Sequence, residues 1–406
     1  MLLKILVISQ YFWPESFRIN EVVESLWAVG SEVTVLTGQP NYPEGQIFPG
    51  YRAWAMKSQQ HDAGFAIFRV PLVPRGTGTA IRLALNYFSF ILSAILVAPW
   101  VLRGRQFDVV FVYAPSPILQ AIPAVWIAWL KRAKLVTWVQ DLWPESLSAT
   151  GFVRHPKILV MVGWLVKWLY RRNDLLLVPS RTFVEPVGRL AGETPVIYHP
   201  NPGELVLGRA KEAPGLMLQP GFNVVFAGNL GTVQALHTIV AAAELLRHEP
   251  DIRLVVIGSG SRSEWLKGEV FRLGLSNVQL PGRFAPSQMP AILMQASALL
   301  VTLAKDPILG QTVPSKLQSY LAMGKPIIAA LDGEGARIVA EAEAGVCCPA
   351  ENSRALASAI LGLRDMYPEQ RQRMGDSALA YYAQHFEPHA LAQQLLQLLV
   401  NIVQRK

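Results

Sequence analysis

At 406 residues, 51% hydrophobic and 16% charged, the chain is long enough for two domains and is not a disordered one. Its net charge of +8 is uneven: residues 1–200 carry 19 Lys and Arg against 12 Asp and Glu, and the remainder 18 against 17. A basic first half points to an anionic membrane surface or a phosphorylated partner, and nucleic acid is set aside because no zinc-finger, arginine-rich or RNP-type pattern occurs.

The chain opens on an apolar run, Leu3–Ser9, read as a buried first strand and not as a signal peptide. It empties into Gln10-Tyr-Phe-Trp-Pro-Glu-Ser16, then a helix over 17–29 closed by Gly30, then a strand over 32–37. That is a βαβ opening to a doubly wound domain. It lacks G-x-G-x-x-G, so a nicotinamide cofactor on the first turn is not expected. Gly38-Gln-Pro-Asn-Tyr-Pro-Glu-Gly45 is a turn-rich loop, and 65–70 reads as a further strand.

Residues 83–102 contain no charge and are long enough to span a bilayer. Asn86, Ser89, Ser93 and Pro99 interrupt them, and the strand from Asp108 to Tyr113 follows at once, so a helix packed on the sheet and partly exposed at a bilayer surface is expected. Arg75, Arg82, Arg103 and Arg105 flank it, and 157–172 is a second apolar segment with basic ends and two tryptophans. Residues 124–134 form a weaker third; all three also read as core helices with snorkelling basic ends.

Strands are expected over 135–140, ending at Asp141-Leu-Trp-Pro-Glu145, over 174–179, ending at Ser180-Arg181, and over 196–198. Proline and glycine then mark a linker, dividing the chain into a domain over 1–200, a linker over 201–221, a domain over 222–387 and a final helix over 388–406. The second domain restarts as strand 223–227, loop Gly228-Asn-Leu-Gly231, helix 235–247, strand 253–257 and loop Gly258-Ser-Gly260. Strand 278–280, helix 286–295 and strand 298–303 follow. Two such α/β domains leave a cleft at their C-terminal strand edges, a common ligand site.

The segment 306–336 closes that series. Pro314 suits a helix first turn, Thr312 is a candidate cap, and Ser315 and Lys316 follow. Leu317, Tyr320 and Leu321 share one face, Gly324 ends the helix, and 326–331 is a buried strand leading into Asp332-Gly-Glu-Gly335. Free N–H groups beside a lysine suit a phosphate, and the glycine loop lies where open α/β sheets bind ligands. The residues alone imply an anionic ligand, with an ordinary helix–strand turn as the alternative.

These motifs, in order, resemble glycosyltransferase family 4, the retaining nucleotide-sugar enzymes of the GT-B fold. The resemblance rests on Tyr11-Phe-Trp-Pro-Glu15 with Arg18 and Asn20, Thr37–Gly45, Gln140-Asp141, Pro179-Ser-Arg181, Pro200-Asn-Pro202, Phe226–Gly231 and Val313–Pro326. It is nearest to bacterial O-antigen and colanic-acid-type transferases acting on polyprenyl-linked sugars, the fucosamine-transferase-like group included. It implies two Rossmann-like domains, the second binding a nucleotide diphosphate sugar, with UDP expected, and the first binding a polyprenyl-diphosphate-linked saccharide. Donor contacts are then expected from Gly228, Asn229, Gly231, Gly258, Gly260, Pro314, Ser315, Lys316, Ser319, Gly333, Glu334 and Gly335. Acceptor contacts are expected from Tyr11, Trp13, Pro14, Glu15, Arg18, Asn41, Tyr42 and Arg181.

The chain departs from the family pattern at three places. Gln311 and Ser319 stand where relatives often carry two glutamates, Gln234-Ala235 where a Lys-Gly is usual, and Tyr113 where a histidine often sits. Lys316 is expected to supply the missing cation and Glu334 the carboxylate toward the ribose. Asp141, Lys316 and Glu15 are the expected catalytic groups, Asp141 orienting the acceptor. Glu145 and Glu15 stay open between a site role and a structural one, as does Arg181 between acceptor phosphate and a surface ion pair. No Asp-x-Asp occurs, and a cation with helix N–H groups can do a metal's work at a leaving diphosphate, so no metal is expected. His385 and His389 have helical metal spacing, but Pro388 lies between them; His237 follows the first glycine loop. The rival readings are a nucleotide-sugar 2-epimerase of the same two-domain form and a sugar-binding protein without chemistry. The expected location is the cytoplasmic face of the inner membrane, peripherally attached.

Overall fold

The computed structural model describes residues 2–149, 155–203 and 215–405. They fall into two compact units, Met1–Pro202 with Pro388–Lys406, and Gly203–Glu387. The linker expected over 201–221 lies in part (204–214) outside the described residues.

Unit 1 is built on eight strands: β1 (Lys4–Ile8), β2 (Glu32–Thr37), β3 (Lys57–Gln60), β4 (Ala66–Arg69), β5 (Val109–Ala114), β6 (Lys134–Val139), β7 (Leu175–Val178) and β8 (Val196–Tyr198). Their order is β3-β4-β2-β1-β5-β6-β7-β8, parallel except for the antiparallel edge pair β3–β4. β1 is central and apolar on both faces, with Ile5 between Val33 and Val109. Its alternating side chains feed two cores. Ile5 and Val7 meet α1 (Arg18–Ala28), whose Ile19, Val22, Val23 and Leu26 form one helical face. Leu6 and Ile8 share the opposite core with α2 (Ala80–Val101), α3 (Ile122–Lys131), α5 (Pro156–Tyr170) and α6 (Val184–Ala191). A short α4 (Glu145–Ala149) follows β6.

Unit 2 has six parallel strands, β9 (Phe222–Asn229), β10 (Ile252–Ser259), β11 (Val278–Gly282), β12 (Ala298–Thr302), β13 (Ile327–Ala330) and β14 (Gly345–Cys348), in the order β11-β10-β9-β12-β13-β14. One face packs on α7 (Leu236–Leu245), α8 (Ser263–Leu273) and α12 (Ser353–Asp365). The other packs on α9 (Met289–Leu293), α10 (Ser315–Ala322), α11 (Glu334–Glu341) and α13 (Pro368–His385). Strand order reverses between β9 and β12, and in unit 1 between β1 and β5, so each sheet has a switch point where ligands of this architecture sit.

Helix α14 (Pro388–Gln404) returns to unit 1, where Leu395, Leu399 and Ile402 join the α1 core. The expected helix over 286–295 shortens to α9, because Ala285 and Pro286 are taken up in a turn closed by Gln288. Of the adjacent cysteines on the edge strand β14, Cys348 is buried and Cys347 exposed. α13 ends at His385 and α14 begins at Pro388, so His385 and His389 occupy different helices.

Candidate functional site

In unit 2 the switch point gathers most of the expected donor residues. β9 and β10 end on paired glycines, Gly228 beside Gly258, both at positive φ. A Cβ on Gly258 would lie 1.8 Å from the Gly228 carbonyl oxygen, so no side chain fits. Lys316, in the first turn of α10, reaches back to this corner. Its ammonium donates to Gln234 Oε1 at 2.6 Å and lies 3.7 Å from the Phe226 ring centroid. No carboxylate pairs with it among the described residues, and burial lowers its pKa to about 7. Tyr320, one turn further, accepts from the Ala227 N–H and donates to the Ala227 carbonyl, which fixes α10 against the glycine corner.

The turn bearing Gln234 is held by β12: Thr302 Oγ1 donates to the Gln234 carbonyl at 2.6 Å, and the Ala304 N–H to Val233. Ala235 adopts φ +46, a left-handed conformation natural to glycine. Asn229, Leu230 and Gly260 pack into one turn, where a Cβ on Gly260 would meet Asn229 Oδ1 and the Leu230 carbonyl at 2.6 Å. Gly231 opens the turn that Gln234 closes.

Two helix starts converge nearby. Pro314 precedes α10 at its cap position and Gly333 precedes α11, and neither helix is capped by a side chain. A Cβ on Gly335 would lie 3.2 Å from Pro314 Cδ, so the two N-termini touch. Their orphan N–H groups, from Ser315 and Lys316 and from Glu334 and Gly335, face an anion-favouring region. Thr312 is not the cap: its hydroxyl donates to the Leu309 carbonyl. Glu334 is buried, and its carboxylate forms two 2.9 Å bonds to Arg337. Ser319 is half-buried on α10, its hydroxyl making no hydrogen bond among the described residues. His237 is exposed and 3.4 Å from Glu351.

In unit 1 the loops after β1 and β2 are locked together. Glu15 is buried and accepts from the N–H groups of Asn41 (2.8 Å), Tyr42 (2.7 Å) and Phe12 (3.3 Å). Burial pushes its carboxyl up and these donors pull it down. Through these bonds Glu15 staples the two loops together. Arg69, also buried, donates to the carbonyls of Gly38 and Trp13 and braces the same pair of loops. Asn20 accepts from the Trp13 N–H and donates to the Glu15 carbonyl, which closes the turn around Pro14. Asn41 Oδ1 accepts from the Arg75 N–H.

Arg18 donates to the Pro202 carbonyl at 2.5 Å, and Asn201 to Gln140 Oε1 at 2.8 Å. Asp141, at the end of β6, has its carboxyl raised by burial and lowered by the Ser116 N–H. Asp141 and Arg18 both act on the buried Tyr113 phenol, which desolvation holds well above its ordinary value. Arg181 follows β7 and covers the Tyr198 ring at 5.4 Å. Gln10, Arg75 and Asn86, which the sequence did not single out as candidate site residues, tie these loops to α2. Gln10 Nε2 and Tyr11 Oη donate to Asn86 Oδ1 at 2.7 and 3.3 Å, and Arg75 donates to Tyr11 Oη at 3.0 Å. The available signal was Asn86, an amide buried in a largely apolar helix.

The opposite side of α2 is an apolar stripe: Ile81, Leu85, Phe88, Leu92, Leu96 and Trp100 are all exposed, Trp100 at 81%. α3 adds the stacked pair Trp126 and Trp129, and α5 adds Met161 and Trp164. α2 is long and apolar enough to cross a membrane by length and composition alone, yet its Leu83, Asn86, Phe90, Ala94 and Ala98 face the protein core.

Residues 16–202 match the model of the glycosyl transferase 4-like domain, and residues 221–365 that of glycosyl transferases group 1. The chain is 27% identical over 346 residues to a putative colanic acid biosynthesis glycosyl transferase, WcaI, of Escherichia coli K12, covering 79% of this chain and 82% of that protein. It is 26% identical to a probable glycosyltransferase, WbjE, of Pseudomonas aeruginosa, covering 72% and 74%. Among solved structures, Anabaena HepE in complex with UDP superposes with a TM-score of 0.69 at 16% identity, covering 99% of this chain and all of that one. With a glycosyltransferase model matched in each unit and a doubly wound sheet under each, the chain belongs to the two-domain glycosyltransferases of the GT-B fold.

Proposed function

We propose that the chain builds a bacterial surface polysaccharide of the O-antigen or colanic-acid type. It moves a hexosamine or deoxyhexosamine from a UDP-linked donor to a polyprenyl-diphosphate-linked saccharide, with retention at the anomeric carbon. The colanic acid relative named above supports polysaccharide assembly. The observation that carries the donor reading is Lys316: a buried ammonium without a counter-ion, set against the glycine corner and the starts of α10 and α11. An entering diphosphate supplies the missing negative charge, and as the glycosidic bond breaks the same groups stabilise the charge left on UDP. That is the work a metal does in other transferases, so turnover is expected to persist in chelator.

Unit 1 then holds the acceptor. Tyr11, Trp13, Asn41 and Tyr42 lie in loops whose geometry Glu15 and Arg69 fix, Asp141 orients the acceptor hydroxyl, and Arg18 and Arg181 border its edge. The exposed stripe on α2, with the tryptophans of α3 and α5 and basic residues such as Arg103, Arg105, Lys157 and Arg172 around it, suits peripheral attachment to an anionic cytoplasmic membrane face. The test is incubation of the purified protein with labelled UDP-sugars, with and without a membrane-extracted polyprenyl-diphosphate sugar. UDP release that requires the lipid acceptor is expected; sugar interconversion without acceptor, the epimerase result, would overturn the reading.

A further inference from the structure

We infer that Arg75 and Arg82 form a subsite for the diphosphate of a prenyl-diphosphate lipid, at the head of the α2 stripe along which its hydrocarbon lies. The inference rests on the lipid-acceptor reading above and names the residues that would grip the acceptor's anionic group. Arg75 lies over the rings of Tyr42 (5.1 Å) and Tyr11 (5.7 Å) and is tied to Tyr11 Oη. That phenol is held in turn by Asn86 of α2, so the guanidinium is mounted on a buried network and not on a free side chain. Arg82, in the first turn of α2, folds back over Gly76, the residue after Arg75: a Cβ there would sit 3.7 Å from Arg82 Cδ.

Neither guanidinium has a carboxylate partner among the described residues, and the first turn of α2 contains no acidic residue. Arg82 in the first turn of α2 and Arg75 on the segment just before it are both cations, and guanidinium forks bind an anion with several oxygens in bidentate fashion. The residue beside Arg82 is Ile81, where the exposed stripe begins. The stripe runs from Ile81 to Trp100, ~28 Å at ~1.5 Å per residue. A ligand that is anionic at one end and a long hydrocarbon at the other matches both features at once; a free phosphate matches only the first.

The test measures binding of farnesyl diphosphate in phosphatidylcholine vesicles by co-sedimentation, with inorganic pyrophosphate and phosphatidylglycerol vesicles as comparison ligands. The variant Arg75→Gln/Arg82→Gln should lose about tenfold or more in affinity for farnesyl diphosphate, and Arg75→Lys/Arg82→Lys should recover part of it. UDP affinity should stay unchanged, and unchanged hydrogen exchange across β1 and α2 reports an intact unit 1. If the double variant loses that protection, Arg82→Gln alone, altering an exposed side chain, takes its place. Pyrophosphate should compete weakly with the wild-type protein, because it lacks the chain. Unchanged binding of farnesyl diphosphate in the glutamine variants overturns the subsite, as does an equal loss on phosphatidylglycerol, which would make the arginines general membrane contacts. Arginine-dependent binding without any sugar transfer to lipid acceptors would keep the subsite and sink the transferase reading. Transfer whose KM for lipid acceptor ignores these arginines would do the reverse.

Discussion

Lys316 shows how much one residue's surroundings determine. Its ordinary pKa of 10.5 falls to about 7 because burial removes water without supplying a carboxylate. Below about pH 7 the ammonium is already charged and receives a diphosphate directly. Above that pH each binding event must take up a proton, so donor affinity should fall as pH rises, by up to ~tenfold per pH unit. Folding stability has the opposite slope. The folded lysine binds a proton less readily than the unfolded one, so its cost is complete below about pH 7 and is relieved between about 7 and 10.5. Calorimetric titration of UDP from about pH 6 to about pH 9 checks the first trend. Lys316→Ala should weaken UDP by roughly 10–100-fold, the value of a charge-assisted hydrogen bond, and flatten the pH profile. The sequence pointed to Lys316 as the site's cation through its place in a helix first turn. The partner Gln234, 82 positions away, was not legible, because only the sheet order brings β9 beside β12. The Glu334 ion pair was legible in the sequence: Arg337 lies three residues on, one helical turn away, and holds the carboxylate.

Elements were legible where apolar period and turn residues agreed. β2 and β8 match the expected spans, and α1, β9, β10 and β12 lie within two residues of theirs. β3 escaped because Lys-Ser-Gln-Gln has no apolar face; it is an edge strand held by backbone pairing to β4. α13 escaped for a similar reason, burying only Gly375, Ala378 and Tyr382 of its 18 residues. The long apolar segment was ambiguous between a spanning and a packed helix. α2 settles it by having two apolar faces of different purpose, one built into the core around Asn86 and one left outside. Leu92 is on the outer face, so Leu92→Glu should change stability by less than ~0.5 kcal/mol. The same change should weaken co-sedimentation with anionic vesicles about tenfold or more, since a charge replaces buried apolar area beside anionic headgroups. Retained vesicle binding in that variant would remove α2 from the membrane contact.

At the scale of the whole molecule the charge separates more sharply than the two sequence halves suggested. The unit that includes α14 holds 21 Lys and Arg against 12 Asp and Glu, whereas the other holds 16 against 17. The basic excess thus belongs wholly to the unit with the lipid-suited surface. The C-terminal helix is no appendage: Leu395 is buried against α1, and Leu395→Ala should cost ~2–5 kcal/mol. Hydrogen exchange should then rise across β1 and α1 while UDP still protects β9 and β10. Loss of protection in both units together would show that they unfold as one.

α14 also sets a timetable for synthesis. The outer face of α1 is finished only by residues that follow the 185 residues of Gly203–Glu387 along the chain, so it waits until these have been made. At ~5–20 residues per second that is a wait of roughly 10–40 s, during which Val22, Val23 and Leu26 lack their cover on a nascent chain already bearing the apolar stripe of α2. Unit 1 starts before unit 2 and is completed after it, so of the two it depends more on chaperones or on early arrival at a bilayer.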